Sequence, residues 1–302
     1  MSPEVIAPRA NGALLDLSED AFGELRRSED LVDHPEGVLD RLAEDGYVYL
    51  PGFWPSAEVT PVRAEVARLL AEGGFTDPDA PMRITCRKPV DLDTKREIVE
   101  GNEVVRKFLR QGRTTAYLER VWDGPVRALD FIGMRMISPG IGTYPHADIV
   151  YFSRGTPRLL TGWTPLGDVP IELGGLLLLE GSHRHQRLQQ TYLRRDVDSY
   201  CVNRRDADKY ASNEKRWTGA LATDFLRLRN AIGGRWLTTN YRQGDLVLFV
   251  MNMVHGSLDN QTDRIRLSAD PRYQPMHEPA DHRYIGENPV RNTAAAKRGR
   301  IC

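Results

Sequence analysis

Cysteine is scarce in this chain, with Cys86, Cys201 and Cys302 the only three in 302 residues. Three widely spaced thiols fit neither a disulfide framework nor a zinc knuckle, and they point by default to a reducing, cytoplasmic location. Net charge is also nearly absent. The 41 basic and 42 acidic side chains leave a formal charge of −1, and that balance offers no electrostatic footprint for nucleic acid. No apolar run approaches the roughly 20 residues of a membrane helix, and "GGLLLLEG" at 174–181 is far too short. The opening residues lack a basic start followed by an apolar core, so no secretory signal is evident. Internal repeats and long linkers are missing as well.

What remains describes an ordinary soluble globular protein: 27% charged and 40% apolar residues, in a chain long enough for one large domain with a real core. We expect that domain over residues 13–285, with 1–12 and 286–302 as flexible ends. The basic close, "GENPVRNTAAAKRGRIC", reads as a frayed solvated terminus rather than an acid-binding tail.

Residues 13–125 read as mainly helical. "PEGVLDRLAEDG" (35–46) spaces Val38, Leu39 and Leu42 at helical intervals and stops at Gly46. "YVYLPGF" (47–53) alternates like a strand, "SAEVTPVRAEVARLLAEGG" (56–74) reads as a helix closed by Gly-Gly, and 102–122 gives one or two more helices.

From residue 127 to 275 the character changes. Short β-prone runs at 128–138, 147–152, 158–166, 173–181, 235–241, 245–251 and 264–270 are separated by Gly, Pro, Asp and Asn. Runs of this kind, mostly without helices between them, predict an antiparallel jelly roll: a mainly β fold with flanking helices. Residues 184–233 interrupt the series with charged, partly helical sequence, a lid or an outer decoration. Within it "YLRRDVDSYCVNRRDADK" (192–209) carries paired arginines among nearly as many acids, so it reads as a solvated face.

The chemistry concentrates at three places. In "TYPHADIVYF" (143–152), His146 and Asp148 lie two residues apart. On an extended segment both would share a face and form half of a mixed N/O site suited to Fe(II). A wet surface strand would carry the same pair. In "GDLVLFVMNMVHGSLDN" (244–260), His255 falls just past a buried apolar strand, where it is either a ligand or a core histidine. Together the three residues make the two-histidine, one-carboxylate set of non-haem iron oxygenases. In "TDRIRLSADPRY" (262–273), Arg264, Arg266, Ser268, Asp270 and Arg272 share one face, and Ile265, Leu267, Ala269 and Tyr273 the other. If the polar face looks into a cavity, its guanidiniums need an anion there, such as a dicarboxylate. An exposed edge strand with surface arginines is the plainer alternative.

The set "HAD" (146–148), "GSHR" (181–184), "HGSLDN" (255–260) and "RIRLS" (264–268), with "LAEDGYVYLPGFW" (42–54), resembles the phytanoyl-CoA dioxygenase family of Fe(II)/2-oxoglutarate oxygenases. The likeness runs from about residue 36 to 285. It implies a double-stranded β-helix with His146, Asp148 and His255 as iron ligands. It also implies Arg266, eleven residues past the second His, as the group that binds the far carboxylate of 2-oxoglutarate, with Arg264 as rival. Ser268 would assist and Trp163 would stand near the cofactor pocket. Ser257 and Asn260 would shape the loop that holds His255. His183 would order a turn, and His185 would not bind metal.

The cofactors implied are Fe(II), 2-oxoglutarate and O₂, and the partner is a small-molecule substrate. By the same resemblance, a full aspartate at Asp148 argues for hydroxylation and against halogenation, which uses a small residue there. Desaturation, epoxidation and cyclisation share the ligand set. A non-catalytic jelly-roll binding protein and a zinc hydrolase are the alternatives from other classes. The substrate expected is a small organic metabolite, such as an intermediate of secondary metabolism, while its identity and the oligomeric state leave no sequence signal.

Overall fold

The computed structural model describes residues 6–91, 95, 97–99, 101–131 and 133–302. Two antiparallel sheets face each other, as in a jelly roll. The larger has strands β4 (Tyr47–Leu50), β11 (Leu246–Val250), β7 (Leu160–Pro165), β13 (Arg266–Ala269) and β6 (Met134–Ile137) in that order, with β14 (Arg272–Pro275) bridging β7 and β5 (Val126–Ala128). The smaller has β12 (His255–Ser257), β8 (Leu176–Leu179) and β10 (Trp236–Thr238), and β3 (Phe22–Glu24) joins its edge in parallel.

The period-2 geometry of a strand sorts the side chains between layers. On β8, Leu176 and Leu178 point inward, packing with Trp163, Val247 and Phe249 of the opposite sheet. Leu177 and Leu179 point outward into a second cluster with Leu188, Phe225, Leu228 and Trp236. All four leucines are nearly sealed from solvent, and each such burial stabilises the fold by roughly 1.5–3 kcal/mol. A run of four leucines is thus a strand with helices or loops over its outer face and a sheet over its inner one.

The same parity holds on β13. Ile265, Leu267 and Ala269 join Val62, Val66, Leu70, Phe108 and Leu118 from the N-terminal helices α3 (Ser56–Glu72), α4 (Glu103–Gln111) and α5 (Arg113–Trp122). Arg266 and Ser268 are left facing between the sheets. The helical reading of 35–46 holds as α2 (Val38–Asp45), which ends where Gly46 takes a left-handed φ of 79°. A Cβ at Gly46 would sit 2.5 Å from His183 Nδ1. His183 also lies against the Ala43 carbonyl, so it serves packing at this helix end, as the sequence suggested.

Several expectations are corrected. Residues 147–152 are not a strand. Asp148–Val150 is a 3-10 turn, and only His146 keeps a bridge to a strand, pairing with His255. His255 does not trail a strand in a loop but opens β12. The run 264–270 breaks at Asp270-Pro271, because proline cannot donate to the ladder, and a further strand, β14, follows.

Among the described residues, parts of both ends, read from sequence as flexible, make contacts with the body of the chain. Asn11 and Gly12 donate backbone N–H groups to the Asp259 carboxylate at 2.9 and 2.7 Å. At the other end β15 (Arg298–Arg300) pairs in parallel with β9 (Ser199–Cys201), and Cys201 and Cys302 form a disulfide. The thiol-based argument for a reducing compartment therefore fails. Spacing alone hid the pair, which lies 101 residues apart in sequence. Residues 1–5 fall outside the described residues.

The disulfide has a direct check. Denatured, unreduced protein should titrate one thiol, Cys86, and reduced protein three. Cys302→Ser should lower stability to urea by about 2–4 kcal/mol, because it releases a long loop-closing link.

Candidate metal centre and anion cavity

His146 and His255 are brought together by their backbones. Each N–H donates to the other's carbonyl at 2.8 Å, so the two rings stand side by side with centroids 4.2 Å apart. Each Nδ1 lies against the carbonyl two residues earlier in the chain: His146 against Tyr144 at 2.9 Å and His255 against Met253 at 3.0 Å. A proton on Nδ1 satisfies both contacts and leaves both Nε2 lone pairs aimed inward, the tautomer a metal-binding histidine needs.

The 3-10 turn after Ala147 swings Asp148 back beneath this pair. Its Oδ1 is 3.9 Å from each Nε2. The three donor groups lie within 4.8 Å of one another, all buried. The i, i+2 pair thus converges through a turn and not across one strand face. Asp148 is 1% exposed. Its outer side is saturated: Arg272 Nη2 donates to both carboxylate oxygens at 3.1 Å and Thr161 donates to Oδ2.

The electrostatics suit a divalent cation. Burial pushes the His146 imidazole down to about 3, with repulsion from His255 adding to it. Burial likewise lowers His255. Burial alone would raise the Asp148 carboxyl, but the Arg272 guanidinium, with the Thr161 hydroxyl, outweighs it and holds it well below the ordinary carboxylate value. Two neutral imidazoles and one carboxylate are therefore ready near neutrality without losing a proton.

Deeper between the sheets, beside His255, lies a small cavity touched by Arg266, Trp163, Leu176, Phe249, Ser257 and Arg135. Arg266 is 2% exposed. Its Nη1 donates to the Gly174 carbonyl at 2.8 Å. Its Nε and the Ser268 Oγ are buried with no hydrogen-bond partner among the described residues. Burial, with Arg135 nearby, pushes the guanidinium down to about 10. Orphaned buried donors around a cation fit a carboxylate that would accept from them. Trp163 lines the cavity and packs on Tyr241, so it belongs both to the core and to the site. Arg264, the rival, lies at a separate surface cleft with Arg63 and Asp168. Ser257 and Asn260 accept or donate within the loop, to Thr143, Ile137 and Arg264 backbone groups. His185 caps the short helix Gln186–Gln190, away from the donors.

A larger cavity of roughly 310 Å³ opens on the other side of the triad, touching His146 and Asp148. Thr218 and Ala220 of the 184–233 insertion form one wall of it. That wall is tied to the His-Ala-Asp turn, since Tyr192 Oη accepts from Ala147 N–H at 3.1 Å and donates to the Gly219 carbonyl at 2.6 Å. Sequence reasoning missed three site residues. Arg272 was placed on the polar face without a role. Arg135 was legible from β6, where Met134 and Met136 pack into the helix-side core and alternation sends Arg135 the other way. Thr161, inside an apolar run, left no signal.

The family described as phytanoyl-CoA dioxygenase (PhyH) matches residues 42–268. No curated protein matches the chain by sequence at a significant level. Among solved structures, the 2-oxoglutarate-dependent epimerase SnoN from nogalamycin biosynthesis, in complex with Fe³⁺, α-ketoglutarate and nogalamycin RO, is 22% identical. It covers 86% of this chain and 88% of its own, with a TM-score of 0.53. EctD from S. alaskensis with 2-oxoglutarate and 5-hydroxyectoine is 16% identical over 98% and 94%, with a TM-score of 0.54. The carbocyclase SnoK from nogalamycin biosynthesis is 18% identical over 87% and 89%, at 0.52. At these identities the likeness establishes the shared fold.

Protonation should oppose folding in acid. A folded-state His pKa below its ordinary 6.5 gives stability that is present above that value and lost as pH falls, because the unfolded chain takes up the protons first. Urea melts of metal-free protein should therefore show lower stability at pH 5 than at pH 7.5, and His146→Gln should flatten the difference.

Proposed function

The chain belongs to the phytanoyl-CoA dioxygenase family of Fe(II)- and 2-oxoglutarate-dependent oxygenases, and we propose that it hydroxylates an unactivated C–H bond of a small organic metabolite. In this reading His146, Asp148 and His255 hold Fe(II), Arg266 and Ser268 hold the far carboxylate of 2-oxoglutarate, and Trp163 walls its site. The observation that carries the reading is the pairing of a buried His-Asp-His cluster with an unsatisfied buried guanidinium and hydroxyl in the adjoining cavity.

When bound, iron and 2-oxoglutarate supply the oxidising chemistry, with O₂ consumed and succinate and CO₂ released. The chain's own part is placement. The Tyr144 and Met253 carbonyls fix the imidazole tautomers. Arg272 and Thr161 occupy the outer lone pairs of Asp148, which keeps the carboxylate ionised and turned toward the histidines. The insertion supplies one wall of the larger cavity at Thr218 and Ala220, which narrows the approach of water to the reacting centre. That cavity, at roughly 310 Å³, stands at the small end of ligand sites, in keeping with a metabolite. The fold neighbours include an epimerase and a carbocyclase, so the product, rather than the ligand set, distinguishes hydroxylation from other outcomes. No helix among the described residues is long and apolar enough to cross a membrane.

Anaerobic addition of Fe(II) and 2-oxoglutarate should produce a visible charge-transfer band that is missing in His146→Ala. Arg266→Ala should weaken 2-oxoglutarate by about 30-fold or more, the ~2 kcal/mol or greater cost of removing one partner of a buried charge pair. A wild-type protein that gives no band, or an unchanged 2-oxoglutarate affinity in Arg266→Ala, would contradict the proposal. With a turned-over metabolite, mass analysis should show a gain of one oxygen and an equal amount of succinate. A product with no added oxygen would move the assignment to another outcome of the same site.

A further inference from the structure

The charges around the two cavities do not cancel. Among the described residues, the charged side chains lining them are Arg135, Arg266, Arg272, Asp148 and Asp270. The two histidines are neutral when they give lone pairs to a metal. Three guanidiniums against two carboxylates leave one positive charge in excess. A ferrous ion and a 2-oxoglutarate dianion bring equal and opposite charge, so the excess survives loading.

The geometry says where that excess sits. Arg272 is sealed at 2% side-chain exposure and bound to Asp148. Arg266 faces the deep cavity assigned to the co-substrate. Arg135 is different, with a side chain 38% exposed that lines both cavities. Its Nε and Nη2 donate to Asp270 Oδ2 at 2.9 and 2.7 Å. That same oxygen lies 3.2 Å from Arg272 Nη1, so one carboxylate serves two guanidiniums. Among the described residues, Arg135 Nη1 makes no hydrogen bond. Both acids are already engaged, so among the described residues the larger cavity has no free anionic group to receive a cationic ligand.

The rest of that cavity is largely apolar. Phe131, Tyr151, Phe152 and Tyr284 line it. A part-exposed guanidinium beside such walls, with charge in excess of its carboxylate partners, attracts an anion into the cavity.

We infer that the substrate is a small, mainly apolar molecule carrying one negatively charged group, and that Arg135 is the specificity-determining residue that receives it. The inference rests on the oxygenase reading for its word "substrate", but the binding site it names does not depend on turnover.

Calorimetric titration with three matched probes tests it: 3-phenylpropionate, its neutral amide, and 3-phenylpropylamine. Each is titrated into the metal-free protein and into the anaerobic Fe(II)·2-oxoglutarate protein. The carboxylate should bind at least about tenfold more tightly than the amide in both forms, and the amine most weakly. Arg135→Gln should erase the carboxylate's advantage, and Arg135→Lys should keep part of it. A carboxylate that binds no better than the amide, or whose advantage survives in Arg135→Gln, overturns the inference. So does loss of the 2-oxoglutarate band in Arg135→Gln, which would assign Arg135 to the co-substrate. A wild-type protein with the carboxylate preference but no band would sink the oxygenase reading and leave the anion site standing, while a band without the preference does the reverse.

Discussion

A single buried carboxylate sets the terms for this structure. Asp148 is 1% exposed, and an ionised group so deep survives only with partners on every side. Arg272 of β14 and Thr161 of β7 supply the outer partners, and the imidazoles of His146 and His255 supply the inner boundary. Those contacts require β14 to sit beside β7 and the His-Ala-Asp segment to turn rather than extend. The jelly roll's register and the donor cluster are therefore one constraint seen at two scales. The inner side of the carboxylate has only neutral nitrogens near it, the arrangement a divalent cation completes.

Charge continues to organise the layers outward. Arg266 and Ser268 lie on the inter-sheet face of β13 and leave buried donors unsatisfied, while the opposite face of the strand closes the helical core. A strand that is apolar on one side and cationic on the other, with buried donors unsatisfied beside a cavity, is chemically suited to an anion. The C-terminal segment belongs to the same design. Arg283, fully buried, binds Asp281 and Asp198 at 2.6 and 2.7 Å and the Tyr151 carbonyl at 2.6 Å. Asn292 donates to Asp198 at 2.9 Å and lines the larger cavity. The stretch that follows the jelly roll in sequence thereby becomes part of the wall.

Much of this was legible in the sequence, for physical reasons that differ between elements. The alternation in 262–273 gave both faces of β13, since a period of two is unaffected by what packs above. The glycine stop at Gly46 gave the end of α2, because a left-handed residue is a local requirement. The set of three donors was legible from type and order. What failed depended on distant contacts. "ADIVYF" has strand propensity, but Asp148 is turned by its partners Arg272 and Thr161, far off in sequence. Cys201 and Cys302 meet only because β15 docks on β9, and no spacing rule covers a gap of 101 residues. The terminal segments look polar and loose until Asp259 and Asp198 are seen receiving their hydrogen bonds.

An iron-edge anomalous difference map from crystals grown anaerobically with Fe(II) tests the centre of this account most directly. One peak is expected, about 2.0–2.3 Å from His146 Nε2, His255 Nε2 and a carboxylate oxygen of Asp148, with Arg272 still bound to that aspartate's outer side. Iron located elsewhere, or a triad left without iron at saturating metal, would contradict it.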